Sequence, residues 1–231
     1  GIIDGGIGSD TVDYRAYTSA VTVDIALGVA TGINGIKSIE RIVGGSGATT
    51  MSGDAGDNIF VAGGGNTTMR GLGGDDTYVF LNGWGTAIVE ENAAAGSDTF
   101  DFSQVTNALT YTFNGTNLNV SDGLNTVTYT NGQIENFVGS TTGLDTLDFS
   151  ATATGRAVSL TGLGSQDGFK LLVSGIGQFD NTNVLKVGSR ATDTLSGLNA
   201  VNTWTLTGVN STFANSGRTL SFSGFRVLNG G

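Results

Sequence analysis

The chain is 231 residues long, carries a formal net charge of −10 and has 39 glycines but no proline, cysteine or histidine. Without His or Cys it has no Ser-His-Asp or Cys-His nucleophile and no imidazole or thiolate for zinc, and its ten scattered Lys and Arg against 20 acids speak against nucleic acid. Glycine-rich sequence without proline suits a long hydrogen-bonded β ladder, since proline cannot donate to one.

The chain opens on Ile3-Asp4-Gly5-Gly6, which reads as the tail of one repeat and the head of the next. It closes on Leu228-Asn229-Gly230-Gly231, which reads as a further repeat start. The expectation is therefore a section of a longer repeating protein. The first complete repeat is GGIGSDTVD at Gly5–Asp13, with Asp10 as a candidate metal ligand. Val21–Ile25 alternates apolar and polar residues, the sign of a half-buried strand. A helical turn fits in two places, Ile36–Val43 and Asn92–Gly96.

From Gly44 to Val79 the sequence divides into four nine-residue pieces: GGSGATTMS, GDAGDNIFV, AGGGNTTMR and GLGGDDTYV. The eighth position holds Met51, Phe60, Met69 and Tyr78. The glycines permit φ > 0 and let loop carbonyls turn toward a cation. The last three residues of each piece alternate, which predicts a three-residue strand with one buried side chain. Two pieces make one full coil, so each repeat should lie on the next but one. Odd repeats match each other (Thr49-Thr50-Met51, Thr67-Thr68-Met69) and so do even ones (Asp57-Asn58, Asp75-Asp76). One edge then carries a Thr ladder and the other carries acids.

Carboxylates one strand spacing apart, ~4.8 Å, repel by about 3 kcal/mol at an effective dielectric of ~20. Asp57, Asp75 and Asp76, with Asp54 nearby, therefore call for a counter-charge. Ca²⁺ takes several carboxylate and carbonyl oxygens, and this edge offers both. The expected calcium ligands are Asp54, Asp57, Asn58, Asp75 and Asp76, with Gly56 and Gly74 supplying loop carbonyls.

Beyond the nonapeptides, Glu90-Glu91 is the one adjacent glutamate pair. Neighbouring strand residues face opposite ways, so it reads as a polar strand end rather than an acid/base pair. Trp84 and Trp204, lone aromatics among Gly and Thr, read as core residues. A motif of Asp, Thr and an apolar residue recurs at Asp10-Thr11-Val12, Asp98-Thr99-Phe100, Asp145-Thr146-Leu147 and Asp193-Thr194-Leu195. The last three copies are almost evenly spaced, and a unit of that length is expected to supply two coils. Asp101 and Asp148 follow the motif and read as turn residues. Alternation predicts further strands at Leu109–Phe113, Val127–Tyr129 and Trp204–Thr207. The expected division is 1–43, 44–80 (the nonapeptide block), 81–143, 144–189 and 190–231.

The nonapeptides fit G-G-x-G-x-D-x-U-x, at every fixed position in Gly5–Asp13, and resemble the repeats-in-toxin (RTX) calcium β-roll. Thr49, Asn58 and Thr67 stand where that pattern has Asp, so calcium is not expected along the Thr edge. More loosely, Gly74–Phe80, Gly83-Trp84-Gly85, Ser97–Ser103 and Gly224-Phe225 resemble the repeat regions of giant bacterial RTX-type adhesins and surface-array proteins. The resemblance implies an all-β fold, a parallel β-roll or β-solenoid of RTX coils plus longer strand repeats. It implies a calcium-dependent structural role in an adhesin stalk, filament or surface array, exported to the bacterial cell surface or matrix. Self-association end to end or side by side and contact with cell-surface glycans are the expected partnerships. Enzyme activity, nucleic-acid binding and membrane insertion are not expected. Two alternatives stay open: a β-helix module that binds or modifies polysaccharide, and an ice-binding module.

Overall fold

The computed structural model describes residues 1–91, 96–115, 117–130 and 133–231. Among these residues the protein is all-β, without helix, and most strands join one large, mostly parallel sheet. Ile36–Val43, where a helical turn fits the sequence, instead supplies the strands Gly35–Lys37 and Arg41–Val43. Its β-branched Ile36, Ile39, Ile42 and Val43 favour the pleated surface, and Ser38 breaks the run at φ 51°. The second such place, Asn92–Gly96, lies outside the described residues except for Gly96. The chain divides into two units, Gly1–Asp101 with Gly123–Ile134, and Phe102–Asp122 with Glu135–Gly231.

In the first unit the nonapeptide strands alternate between two parallel stacks. Thr49–Ser52 pairs with Asn66–Arg70, so that Thr49 meets Thr67 and Met51 meets Met69. Ile59–Val61 pairs with Thr77–Leu81, with Phe60 opposite Tyr78. Each repeat thus lies on the next but one, the register that the likeness of alternate repeats predicts. Val21–Asp24, Thr86–Glu90 and Thr126–Thr130 extend one stack, and Thr11–Asp13 and Arg41–Val43 extend the other.

The eighth-position residues Met51, Phe60, Met69 and Tyr78 are fully buried. Phe60 and Tyr78 stack at 5.3 Å, and Phe100 meets Tyr78 edge-on at 5.7 Å. Burying each of these large side chains stabilises the stack by roughly 1.5–3 kcal/mol. The Thr strands run longer than expected, and alternation carries Thr49 and Thr67 into the interior. Only Thr50 and Thr68 are left half-exposed as an outward ladder. The even strands also bury a second face, where Val43, Val61 and Val79 cluster with Ile59 and Leu81.

The second unit mixes parallel layers with local hairpins. Thr110 lies beside Thr146, Thr146 beside Val184 and Val184 beside Ser221. These steps are clearly shorter than the spacing of Asp98, Asp145 and Asp193. The recurrence of the Asp-Thr motif is therefore not the stacking period, and a unit of that length supplies little more than one layer. Each layer spends the extra residues on an antiparallel hairpin, such as Ala157–Leu163 with Phe169–Val173 and Ser211–Asn215 with Arg218–Ser223. The last of these turns through Ser216 and Gly217 at φ 50° and 78°, the two positive values that a tight hairpin turn requires. Phe137 and Phe179 stack at 4.4 Å in the core of this unit, and Phe113 and Phe149 at 4.2 Å.

Candidate metal centre

In a strand, a residue two positions ahead of a buried one faces the same way. Asn58, Asp76 and Asp98 stand two ahead of Phe60, Tyr78 and Phe100, and all three are buried. They form a staircase in which each step accepts the backbone N–H of the one before. Asn58 N donates to Asp76 Oδ1 at 2.7 Å, and Asp76 N donates to Asp98 Oδ1 at 2.9 Å. Asp10 N likewise donates to Glu40 Oε2 at 2.8 Å. In the second unit Leu109 N donates to Asp145 Oδ1 and Arg156 N to Asp193 Oδ1, at 2.8 and 2.7 Å.

Glu91 reaches the same place from the other stack. Ala87 and Val89 face inward, so parity turns Glu91 inward too, while Glu90 faces out to an ion pair with Arg70 at 2.5 Å. The Tyr78 hydroxyl donates to Glu91 Oε1. Asp76, Glu91 and Asp98 each present a carboxylate oxygen within 4.8 Å of the others. They are 1%, 6% and 2% exposed. Asp76 Oδ2 is buried and has no hydrogen-bond partner. Gly71 leaves the site room, because a β-carbon there would collide with Glu91 Oε1, Asp76 Oδ2 and the Tyr78 hydroxyl. Burial pushes the Asp76 carboxyl up to about 7; the Asn58 N–H opposes this, and the charges of Asp98, Asp57 and Asp54 add to it. Buried carboxylates this close are costly unless a cation or protons neutralise them. An all-oxygen donor set of this kind fits a hard divalent cation.

The ligands expected from sequence fall into separate places. Asp76 belongs to the buried trio, and Asn58 is the step beside it. Asp57 and Asp75 form an exposed column instead, with Asp75 N on Asp57 Oδ1 at 2.7 Å and Ser97 N on Asp75 Oδ1 at 2.8 Å. Asp54 Oδ1 accepts Gly56 N at 2.8 Å, a turn bond, and Asp54 N donates to Asn58 Oδ1 at 2.8 Å. Gly56 lies directly against Gly74, where φ is +96° and an added β-carbon would fall 2.5 Å from the Gly56 carbonyl carbon. Asp10 sits with Glu40, half-buried, and its Oδ2 has no hydrogen-bond partner. Asp148 accepts Ser150 N at 2.9 Å, a turn bond of the kind expected there.

No family model and no curated protein matches this chain. Glu91 and Asp98 are not among the ligands expected from sequence, yet alternation places both inside: Ala87-x-Val89-x-Glu91 and Asp98-x-Phe100-x-Phe102 each keep one face.

The raised acids set a pH dependence. Burial lifts Asp145 to about 6, against the N–H groups of Leu109 and Ser140 and the Ser140 hydroxyl. Asp76 and Asp145 both hold a proton more tightly folded than unfolded. Between the ordinary Asp value of ~4 and these raised values the folded chain binds more protons, so stability falls as pH rises through that window. Without divalent cations, the thermal midpoint read by circular dichroism is expected several degrees higher near pH 5 than near pH 7.5. An equal or lower midpoint at the acid end would contradict this.

Proposed function

We propose that this chain is a calcium-dependent structural repeat segment of a secreted bacterial surface protein, an adhesin stalk, filament or array element built as an RTX-like β-solenoid. The observation that carries the reading is the unpartnered, buried Asp76 Oδ2 facing, with Glu91 Oε1, the space that Gly71 leaves open, the Asp76 carboxylate lying within 4.8 Å of an Asp98 oxygen. The next-but-one parallel register of the nonapeptide strands supports the solenoid, and the G-G-x-G-x-D-x-U-x pattern supports the RTX likeness. Asp76 and Asp98 would hold the ion from successive layers of one stack, and Glu91 from the other stack. The trio offers only carboxylate oxygens, and the chain has no imidazole or thiolate to add, which favours calcium over zinc. When bound, the ion supplies positive charge and nothing reactive. The chain's residues do the rest: Tyr78 orients Glu91, Asn58 and Asp76 fix the layers through their N–H groups, and Gly71 keeps the space clear. Ion binding then becomes folding free energy, as the acids would otherwise repel across the layers. In the calcium-rich exterior such a segment is ordered, and it meets other copies of itself and surface glycans.

Terbium(III) tests the site, since it replaces calcium among oxygen ligands and is sensitised by a nearby tyrosine. Excitation of the wild type should give Tb³⁺ emission, from Tyr78 above all, that calcium competes away. Gly71→Ala, whose methyl fills the site, should lose most of it. Equal emission from the two proteins, or none from the wild type, would refute the site.

A further inference from the structure

The loop Gly164–Gly168 of the second unit turns its backbone carbonyls toward a single point. Arg218, the first residue of the strand Arg218–Ser223, occupies that point. One guanidinium nitrogen donates to the carbonyls of Gly164, Asp167 (2.9 Å) and Gly168 (3.2 Å). The other terminal nitrogen donates to Gln166 O at 3.4 Å. Two carboxylates border the same loop. Asp180 accepts Ser165 N at 2.8 Å and the Ser165 hydroxyl at 2.5 Å, and Asp167 Oδ1 is buried without a hydrogen-bond partner. Converging carbonyls flanked by carboxylates are the donor set of a divalent-cation loop. Here side chains bring the positive charge, Arg218 to the carbonyls and Lys170, 3.8 Å from Asp180 Oδ2, to that carboxylate.

Arg218 is well placed for this. It ends the tight Ser216–Gly217 turn and pairs across it with Asn215, so its backbone is fixed before its side chain reaches out. Its guanidinium stays charged at any physiological pH and its planar fork can serve several carbonyls at once. Bonds from a charged donor are stronger than neutral ones. The loop runs into Phe169, which packs on Phe213 at 5.5 Å in the strand next to Arg218, so order in the loop is tied to the core.

We infer that Arg218 is the resident cation of the Gly164–Gly168 loop, so that the second unit carries its counter-charge within the chain and stays ordered without the divalent ion that the first unit takes. The contrast between the units rests on the calcium reading above. Arg218's own role does not.

Hydrogen exchange on the full chain, read by mass spectrometry with and without a calcium chelator, separates the two. On chelation the strands Ile59–Val61 and Thr77–Leu81 should lose protection, while Phe169–Val173 and Arg218–Ser223 keep theirs. In Arg218→Gln, in chelator, those last two strands should exchange roughly ten-fold faster, the loss of about one charge-assisted bond. Arg218→Lys should keep most of the protection, because it keeps the charge. If the second unit loses protection together with the first in the wild type, the inference fails and the calcium reading stands. Should neither unit respond to chelator, the calcium reading fails, and the Arg218 variants still decide the inference. Unchanged exchange in Arg218→Gln, or Arg218→Lys behaving like it, overturns it.

Discussion

Glu91→Gln is expected to shift the metal-free and the calcium-loaded protein in opposite directions. The substitution removes one of three acidic groups held within 4.8 Å of one another in the interior. Its amide oxygen can still accept from the Tyr78 hydroxyl, so the local geometry survives. Without metal the change relieves repulsion, and the protein should gain about 1–2 kcal/mol. With calcium in excess it removes a charged ligand. A roughly 100-fold loss of affinity lowers stability by about 3 kcal/mol through mass action. Urea unfolding in chelator and in calcium reads both arms. Shifts of the same sign in the two conditions would mean that the trio holds no cation. A plain packing defect cannot produce the reversal, since it would destabilise both states alike.

Asp145→Ala should be the more damaging change, costing about 3–5 kcal/mol whether or not calcium is present. The side chain is 2% exposed and all its bonds are internal. Oδ1 accepts from Leu109 N at 2.8 Å and from the Ser140 hydroxyl at 2.7 Å, and Oδ2 accepts from Ser140 N at 2.7 Å. Alanine would strand three buried donors at once. The neighbouring contact from Asp145 N to Asn183 Oδ1, at 3.0 Å, uses the backbone and would persist. Asp145→Asn should cost less, since its carbonyl oxygen can serve one side while its amide opposes the Ser140 N–H. Denaturant midpoints of the three proteins give the ranking. A cost of about 1 kcal/mol or less for alanine would show that the strands keep their register without the carboxylate.

Much of the first unit can be read from residues alone. The odd–even likeness of the nonapeptides gives the stacking register, and the eighth-position residues are fully buried, though Thr49, Thr67, Val61 and Val79 join them inside. What local spacing leaves out is contact between distant segments. Glu91 is hidden because Asp76 and Asp98 belong to other strands and meet it only across stacks. The second unit also departs from a simple sequence period. Hairpins of unequal length sit between layers there, so the Asp-Thr motif recurs at a longer interval than the one at which strands stack. The motif's aspartate looks like a turn residue by type. Its place two before an apolar residue puts it inside, where Asp98, Asp145 and Asp193 are each at most 2% exposed.

The inserted hairpins also set the order in which the chain can organise. A tight turn such as Ser216–Gly217 closes a short loop at little entropic cost, whereas a parallel neighbour must be brought in across a long intervening segment. The second unit thus holds nuclei of low contact order that can form early in the polypeptide's search. Each nonapeptide strand meets its parallel partner only after one whole coil, as Thr49 meets Thr67, so no ladder forms there until a coil has closed.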